Sequence, residues 1–179
     1  VVSVAFAVVL YFWVLKQDVG TERAEKVAGW IQDGAKAYLR KLYSALGILA
    51  VILGIVIAVI FGLDIEGGFA EPSLARGLGM AVCFVVGSVL SAVAGYMGMT
   101  VAVHANVRTA TAANDSLSKA FNLSFRAGSV MGLAMVGIAV LGMTVVYLIT
   151  NDPNYVLGFS LGASMLALLA KAGGGIYTK

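Results

Sequence analysis

Residues 42–63 have the sequence LYSALGILAVILGIVIAVIFGL, a run of 22 residues without a charged side chain. An α-helix rises about 1.5 Å per residue, so a run of this length spans the roughly 30 Å hydrocarbon layer of a bilayer. The whole chain has a similar character, because 60% of its 179 residues are hydrophobic and only 12% are charged. A soluble domain has about twice that charged fraction. The sequence therefore predicts an integral membrane protein.

Four further apolar stretches extend this pattern to an all-α, polytopic membrane helix bundle. We place about five transmembrane helices near residues 1–15, 42–63, 77–103, 127–150 and 155–176. The first stretch is short, but it lacks the basic start and the cleavage site of a signal peptide, so we interpret it as an incomplete transmembrane helix. The only cysteine, Cys83, excludes a disulfide scaffold. We treat residues 1–179 as one helical segment.

The charges of the connecting segments predict the orientation in the membrane. Residues 16–41 carry six basic residues and residues 104–126 carry three, whereas residues 62–76 carry three acidic residues and one arginine. Lys and Arg are retained on the cytoplasmic side during insertion. We therefore expect both basic segments and the carboxyl terminus to be cytoplasmic, and the amino terminus to lie outside. The net charge of +3 forms no basic face, which argues against nucleic-acid binding.

Residues 20–41 carry a helical pattern of their own. Thr21 is suited to an N-cap, Glu22 and Glu25 follow in or near the first turn, and apolar residues then recur at helical spacing. The pattern favours a cytoplasmic extension of the second membrane helix. The alternative is an interfacial helix that lies on the bilayer.

Small residues recur four positions apart in three of the predicted spans. The three sets are Gly87, Ser91 and Gly95; Gly128 and Gly132; and Gly158 and Gly162. In a membrane, small residues at this spacing let helix backbones approach closely. The spacing indicates tight helix packing and carries no information on chemistry.

A polar stripe is expected along residues 104–126 if they form one helix. Four residues then fall within about 40° of one another on the helix: Arg108, Asp115, Lys119 and Arg126. The stripe is either a solvated face with inside-positive anchors or a basic wall around a cytoplasmic anionic site. His104 is the only histidine, which excludes a histidine-rich metal site, and we expect it at the membrane interface.

The tail, residues 169–179, has the sequence LAKAGGGIYTK. Lys171 falls at the end of the last span, where a charge is costly unless it snorkels to the interface or faces a polar interior. Residues 173–175 are three glycines that either end the helix or let an anion or another helix approach. No catalytic constellation and no metal site can be assembled from this chain alone, so we expect it to be part of a longer protein.

Four blocks of sequence resemble one known family in the family's own order. They are GTER at 20–23 with IQDGAKAYL at 31–39; GYMGM at 95–99 and ANVRTA at 105–110 within 91–113; FRAGSVMGL at 125–133; and GGGIYTK at 173–179. Together they cover nearly the whole chain. On these blocks the chain resembles the membrane-bound, ion-translocating inorganic pyrophosphatases, in which the last block leads into an aspartate-rich, metal- and pyrophosphate-binding motif.

The resemblance implies a homodimeric, multi-pass pump in the cell membrane, either plasma or inner. Such a pump hydrolyses magnesium pyrophosphate on the cytoplasmic side and exports H+, Na+ or both, with Mg2+ as cofactor and K+ as a candidate second cation. Its partners are pyrophosphate, the transported ion and membrane lipid. Family members are much longer, so the chain would be an amino-terminal part that is inactive alone.

The resemblance also implies roles for two lysines of the tail. Lys179 matches the family lysine that contacts pyrophosphate, and a compact ammonium with three donors suits that role. Lys171 occupies the position of an arginine associated with ion translocation near the gate. This substitution keeps the charge and loses the planar, bidentate guanidinium.

Two other functions remain open from the residues alone. The chain could belong to a non-enzymatic secondary transporter whose glycine-broken helices line a binding site, or it could be a small membrane scaffold subunit. Aspartates spaced three or four residues apart after Lys179 would favour the pump over both.

Overall fold

The computed structural model describes residues 2–63 and 74–177, with the side chains of residues 176 and 177 left out. Within these ranges 94% of the residues are helical and there is no β-strand, so the prediction of an all-α chain is confirmed. The five helices are α1 (Val2–Leu15), α2 (Glu22–Gly62), α3 (Leu74–Asp115), α4 (Leu117–Thr150) and α5 (Pro153–Tyr177).

Four of the five described helices, α2 to α5, are long and apolar enough to cross a membrane. The helix α1 is apolar but has only 14 residues, fewer than the roughly 20 that a bilayer requires. The chain is therefore a multi-pass membrane protein. Residues 64–73 of the predicted acidic connection lie outside the described part, and the inside–outside orientation stays a prediction.

The helix α2 begins at the N-cap that the sequence predicts. The Thr21 Oγ1 atom accepts a hydrogen bond from the Ala24 backbone N–H at 3.3 Å, and Glu22 and Glu25 lie in the first turn. The helix then continues without a break to Gly62. This continuity agrees with the interpretation of residues 20–41 as an extension of the second membrane helix.

The later helices are joined by very short connections. Only Ser116 separates α3 from α4, and its Oγ accepts a hydrogen bond from the Lys119 backbone N–H at 3.5 Å. Between α4 and α5, Asn151 adopts a φ of 49°, a conformation that asparagine tolerates better than most residues. Asp152 then caps α5 by accepting a hydrogen bond from the Asn154 backbone N–H at 2.9 Å.

The chain divides into two compact units, of which the first comprises Val1–Arg40 and Ala94–Ile138. Its core is made of small and β-branched side chains, namely Ala7, Val14, Val101, Ala105, Ala127, Val130 and Ala134. Gly98 lies against the Met131 side chain and Gly137 against the Val4 side chain. Both α1 and α3 therefore run antiparallel to α4 within this unit.

The second unit comprises Lys41–Val93 and Ala139–Lys179. In it α3 and α5 run parallel and touch through glycines: Gly162 lies against the Phe84 carbonyl oxygen and Gly87 against that of Phe159. Hydroxyl groups bridge the same contact, since Ser88 Oγ donates to the Gly162 carbonyl at 3.2 Å. Close packing through small residues is the expected mode of helix association in lipid.

The prediction of close packing at small residues is confirmed at Gly87, Ser91, Gly158 and Gly162 and stays a prediction for the pair on α4. Ser91 Oγ donates to the Ala163 carbonyl at 3.1 Å, and a Cβ at Gly158 would lie 2.9 Å from the Met80 carbonyl oxygen. At Gly128 and Gly132, by contrast, an added Cβ would meet no described atom within 4 Å. These two glycines face open space within the described part of the chain.

Candidate functional site

Of the two lysines predicted as site residues, only Lys171 belongs to a described helix, α5. Lys171 is exposed, and no carboxylate of the described residues lies within salt-bridge distance of it. Lys179 lies outside the described residues. The glycines at 173–175 neither end nor interrupt the helix, because α5 continues through them to Tyr177. The roles of both lysines remain predictions.

A polar cavity of about 520 Å³ lies in the first unit, between the ends of α1, α3 and α4. Its walls include all four residues of the predicted polar stripe: Arg108, Asp115, Lys119 and Arg126. The condition of one continuous helix is not met, because α3 ends at Asp115 and α4 starts at Leu117. The hairpin turn at Ser116 nevertheless brings the four side chains to one cavity from two helices.

Arg108 joins α3 to the carboxyl end of α1. Its Nε donates a hydrogen bond to the Gln17 carbonyl at 3.1 Å and one terminal nitrogen donates to the Leu15 carbonyl at 3.1 Å. The other terminal nitrogen donates to the carbonyl of His104, one turn earlier, at 2.7 Å. The last carbonyls of a helix lack intrahelical partners and carry partial negative charge. The guanidinium therefore caps α1 and satisfies carbonyls that would otherwise need water.

The connection between α1 and α2 is fixed to α3 by a second side chain. Thr111 Oγ1 donates a hydrogen bond to the Val19 carbonyl at 2.9 Å. The next residue, Gly20, has a φ of +88°, and an added Cβ there would lie 2.6 Å from Thr111 Oγ1. This position therefore needs glycine both for its left-handed backbone and for the close approach of α3.

Arg126 contributes a cation to the cavity from the start of the apolar part of α4. Its guanidinium carbon lies 4.2 Å from the centre of the Trp13 ring, a cation–π contact between α4 and α1. No carboxylate of the described residues forms a salt bridge with it. Its hydrogen-bond donors are therefore available to an anion.

The two carboxylates of the cavity already have hydrogen-bond partners in the chain, one of them in the cavity wall. Asp115 Oδ2 accepts from Lys119 Nζ at 3.3 Å, and Asp18 Oδ1 accepts from the Gly20 backbone N–H at 3.0 Å. The lining thus holds three cations and two carboxylates, an excess of one positive charge. This arrangement favours an anion over a cation.

His104 is partly buried on α3, and its place at the membrane interface stays a prediction. Its Nδ1 donates to the Thr100 carbonyl at 2.7 Å. In the described ranges no group of three or more His, Cys, Asp or Glu side chains could hold a metal ion. The described residues that line the cavity therefore offer contacts to an anion, and the described ranges contain no ligand set for a metal ion.

Sequence reasoning missed Gln17 as a partner of Arg108, Trp13 as a partner of Arg126, and the hydrogen bond from Thr111 to the Val19 carbonyl. Each partner lies roughly 90 to 110 positions away along the chain from the residue it contacts. Helical periodicity relates only residues on the same helix, so it carries no signal for these pairs. The proximity of α1 to both α3 and α4 was the missing information.

Comparison with known proteins gives one family and a set of curated relatives. The family described as inorganic H+ pyrophosphatase matches residues 1–179. A K+-insensitive pyrophosphate-energized proton pump of Methanosarcina mazei is 40% identical over 99% of this chain and 25% of the relative. A protein of Clostridium tetani, which carries the provisional name K+-stimulated pyrophosphate-energized sodium pump, is 41% identical over 100% of this chain and 24% of the relative.

A third relative has the same relationship to the chain. The K+-insensitive pyrophosphate-energized proton pump of Chloroflexus aurantiacus is 36% identical over 99% of the chain and 24% of the relative. The chain thus spans about a quarter of the length of the curated relatives that it matches.

Proposed function

Because the chain belongs to the inorganic H+ pyrophosphatase family, we propose that it forms part of a membrane pump that couples pyrophosphate hydrolysis to ion export. The observation that carries the proposal is the family match over residues 1–179, together with relatives named as pyrophosphate-energized pumps. The relatives include proton and sodium pumps, so both ions are candidates. The alternatives of a secondary transporter segment and a scaffold subunit have no comparable support.

We propose that the Arg108–Arg126 end of the first unit faces the cytoplasm. The support is the distribution of Lys and Arg, which favours one side of the membrane in eleven of twelve cases if five helices alternate. Asn114, exposed at the end of α3, and Asn154, partly exposed near the start of α5, are suitable labelling sites. In right-side-out vesicles, a cysteine at Asn154 should react with an impermeant reagent and one at Asn114 should not. Equal labelling of both would contradict the orientation.

We propose that Lys179 contacts pyrophosphate and that Lys171 takes part in ion translocation at the gate. The support for both is the match of their positions to the family's blocks. A lysine contributes a compact charge and three donors to a phosphate. Exposure of Lys171 on α5 leaves its ammonium available to another part of the protein.

We propose Mg2+ as the cofactor and a homodimer as the assembly, and the family resemblance is the support for both. Hard oxygen ligands suit Mg2+, but the described residues contain no suitable cluster. We therefore derive no metal-dependent step from this chain. We also propose K+ as a candidate second cation, and its concentration should be varied in the activity assay, because the relatives differ in K+ sensitivity.

The hydrolytic activity is tested by phosphate release from pyrophosphate. Membranes that carry the complete protein should release phosphate on addition of magnesium pyrophosphate, whereas membranes without it should not. Lys179→Ala should lower the rate by about a hundredfold or more, as expected for loss of a charge-stabilising group. Lys26→Ala, which removes an exposed lysine near the start of α2, serves as the matched control and should leave the rate unchanged.

The two outcomes of this assay separate the two proposals. No pyrophosphate-dependent phosphate release by well-expressed protein would contradict the function. Full activity of Lys179→Ala would contradict the role of that lysine alone.

A further inference from the structure

A groove of about 840 Å³ runs between α1 and α4 in the first unit, and we call it the α1–α4 groove. Its walls along most of its length are apolar and come from Phe6, Leu10, Leu133 and Val136. One end is polar and is formed by Asn122 and Arg126. The groove therefore has an apolar body and a cationic end.

The polar end lies where a lipid headgroup would lie. Arg126 directly precedes the uncharged run 127–150, and Trp13 beneath it belongs to a residue type that is enriched at membrane–water interfaces. From Arg126 to Val136 the helix rises on the order of 15 Å, which carries the apolar part well into the hydrocarbon layer. The polarity of the groove thus changes in the same direction as that of the bilayer.

The cation at the polar end is held in place and lacks an opposing charge. The Trp13 ring supports the guanidinium at 4.2 Å, and within the described residues no carboxylate forms a salt bridge with it. A guanidinium can bind a phosphate through two parallel hydrogen bonds. The polar cavity with its excess positive charge also includes Arg126 and Asn122, so it adjoins this end of the groove.

The apolar body has room for an acyl chain because one glycine leaves it open. Gly132 lies on the groove wall, and an added Cβ there would meet no described atom within 4 Å. Phe125, which also lines the groove, is exposed at 66%. A flexible hydrocarbon chain fits such a half-open apolar surface.

We propose that the α1–α4 groove binds an anionic phospholipid, with the phosphate on Arg126 and one acyl chain along Leu10, Leu133 and Val136. Charge complementarity selects an anionic headgroup, and the direction of the polarity gradient selects a bilayer lipid over a soluble anion. Basic pockets between transmembrane helices are known sites for such headgroups. The proposal needs the membrane setting and does not depend on pyrophosphate hydrolysis.

Photo-cross-linking tests the site directly. The complete protein is reconstituted in nanodiscs with phosphatidylglycerol that carries a diazirine in its acyl chain, and the same experiment is run with a phosphatidylcholine analogue. We expect phosphatidylglycerol to label peptides from α1 and from residues 127–138, and unlabelled phosphatidylglycerol to compete. The phosphatidylcholine analogue should label these peptides several-fold less.

Two pairs of variants separate the headgroup contact from the acyl-chain contact. Arg126→Gln should weaken phosphatidylglycerol labelling about fivefold, whereas Arg40→Gln, the same change at an exposed residue outside the groove, should not. Gly132→Leu should fill the groove and reduce labelling by both lipids. Gly128→Leu, the same change one turn away and off the groove wall, should leave labelling intact.

Several results would overturn the proposal. Peptides of α1 and α4 that stay unlabelled would show that protein covers the groove or that it is empty. Equal labelling by both lipids, or an equal effect of Arg40→Gln and Arg126→Gln, would show general surface attraction in place of a site. Unchanged labelling of Gly132→Leu would show that the acyl chain lies elsewhere.

Discussion

The two units of the chain hold their helices together in different ways. In the first unit, long polar side chains reach from α3 to the backbone around the end of α1, as Arg108 and Thr111 do. In the second unit, glycines bring the backbones of α3 and α5 into direct contact, as at Gly87 and Gly162. Lipid tails are as apolar as leucine, so helices in a membrane need such specific contacts in addition to apolar burial.

The difference follows the polarity of the surroundings. The contacts of Arg108 and Thr111 lie where helices end and carbonyls are unpaired, so charged and hydroxyl groups find partners there. The contacts of Gly87 and Gly162 lie within uncharged runs whose carbonyls are already used inside helices. Close backbone packing is the main contact at those positions, and serine hydroxyls bridge it. The two kinds of contact should therefore respond differently to substitution.

The largest effect is expected at Gly162 in the second unit. An alanine Cβ would overlap the Phe84 carbonyl group, so two backbones must separate, which costs about 3 kcal/mol or more. Gly162→Ala should lower the apparent Tm of the purified protein in detergent strongly. Gly128→Ala is the control and should be neutral or slightly stabilising, since its Cβ meets no atom of the described part of the chain within 4 Å. Equal melting of Gly162→Ala and the unmodified protein would refute glycine-mediated packing.

The next largest effect is expected at Arg108 in the first unit. Arg108→Gln leaves the carbonyls of Leu15 and Gln17 without their donors, which should cost about 2 kcal/mol. Hydrogen exchange should accelerate in the segment that follows α1 while α5 keeps its protection. Arg126→Gln removes the same charge from the same cavity without removing a backbone contact, so it serves as the control. If both variants exchange alike, net charge rather than capping holds α1.

A smaller effect is expected at the connection that follows α1. Gly20→Ala should destabilise the protein by about 1–2 kcal/mol, because of the left-handed backbone and the contact with Thr111. Adding Thr111→Ala to this variant should recover the stability lost through the side-chain contact. The stability lost through the left-handed backbone should not be recovered. Gly29→Ala, at an open helical position, is the control and should be stabilising by up to about 1 kcal/mol. Full recovery in the double variant would show that the backbone conformation costs nothing.

The smallest effect is expected at the cation–π contact of the first unit. Trp13→Leu leaves a smaller apolar side chain near α4 and removes the aromatic face under Arg126; the loss of the cation–π contact itself should cost about 0.5–1 kcal/mol. Trp30→Leu makes the same change at the exposed tryptophan of α2, where Lys26 lies farther from the ring centre, at 5.8 Å, and should cost less than Trp13→Leu. Thermal unfolding with both variants measures the difference. If Trp13→Leu lowered the free energy of unfolding by more than Arg108→Gln does, the predicted ranking of these two contacts would be contradicted.

The sequence alone predicted those features of the two units that depend on the length of an apolar run or on helical spacing. The uncharged run 42–63 indicated a membrane helix by its length, and Gly158 and Gly162 indicated close packing by their interval. The pair Gly128 and Gly132 has the same interval, yet an added Cβ at either position meets no atom of the described residues within 4 Å, because spacing does not tell which face of a helix has a neighbour. Spacing alone therefore cannot separate a packing contact from an open groove.

The candidate site was predictable only in part. The sequence placed Arg108 and Arg126 on one face only on the condition of one continuous helix, whereas the two residues line one cavity because of a hairpin at Ser116. Their partners on α1, among them Trp13, depend on tertiary contacts that no local pattern encodes. The role of Lys179 rests on resemblance, since that residue lies outside the described part of the chain.

Pyrophosphate-driven ion movement is the most direct test of the proposed function. Sealed vesicles with the complete protein, cytoplasmic side outward, should take up H+ or Na+ on addition of magnesium pyrophosphate. Uptake should collapse with an ionophore for the transported ion and should not occur with phosphate in place of pyrophosphate. Pyrophosphate cleavage in tight vesicles without uptake of either ion, or no cleavage by folded protein, would contradict the assignment as a pyrophosphate-energised pump.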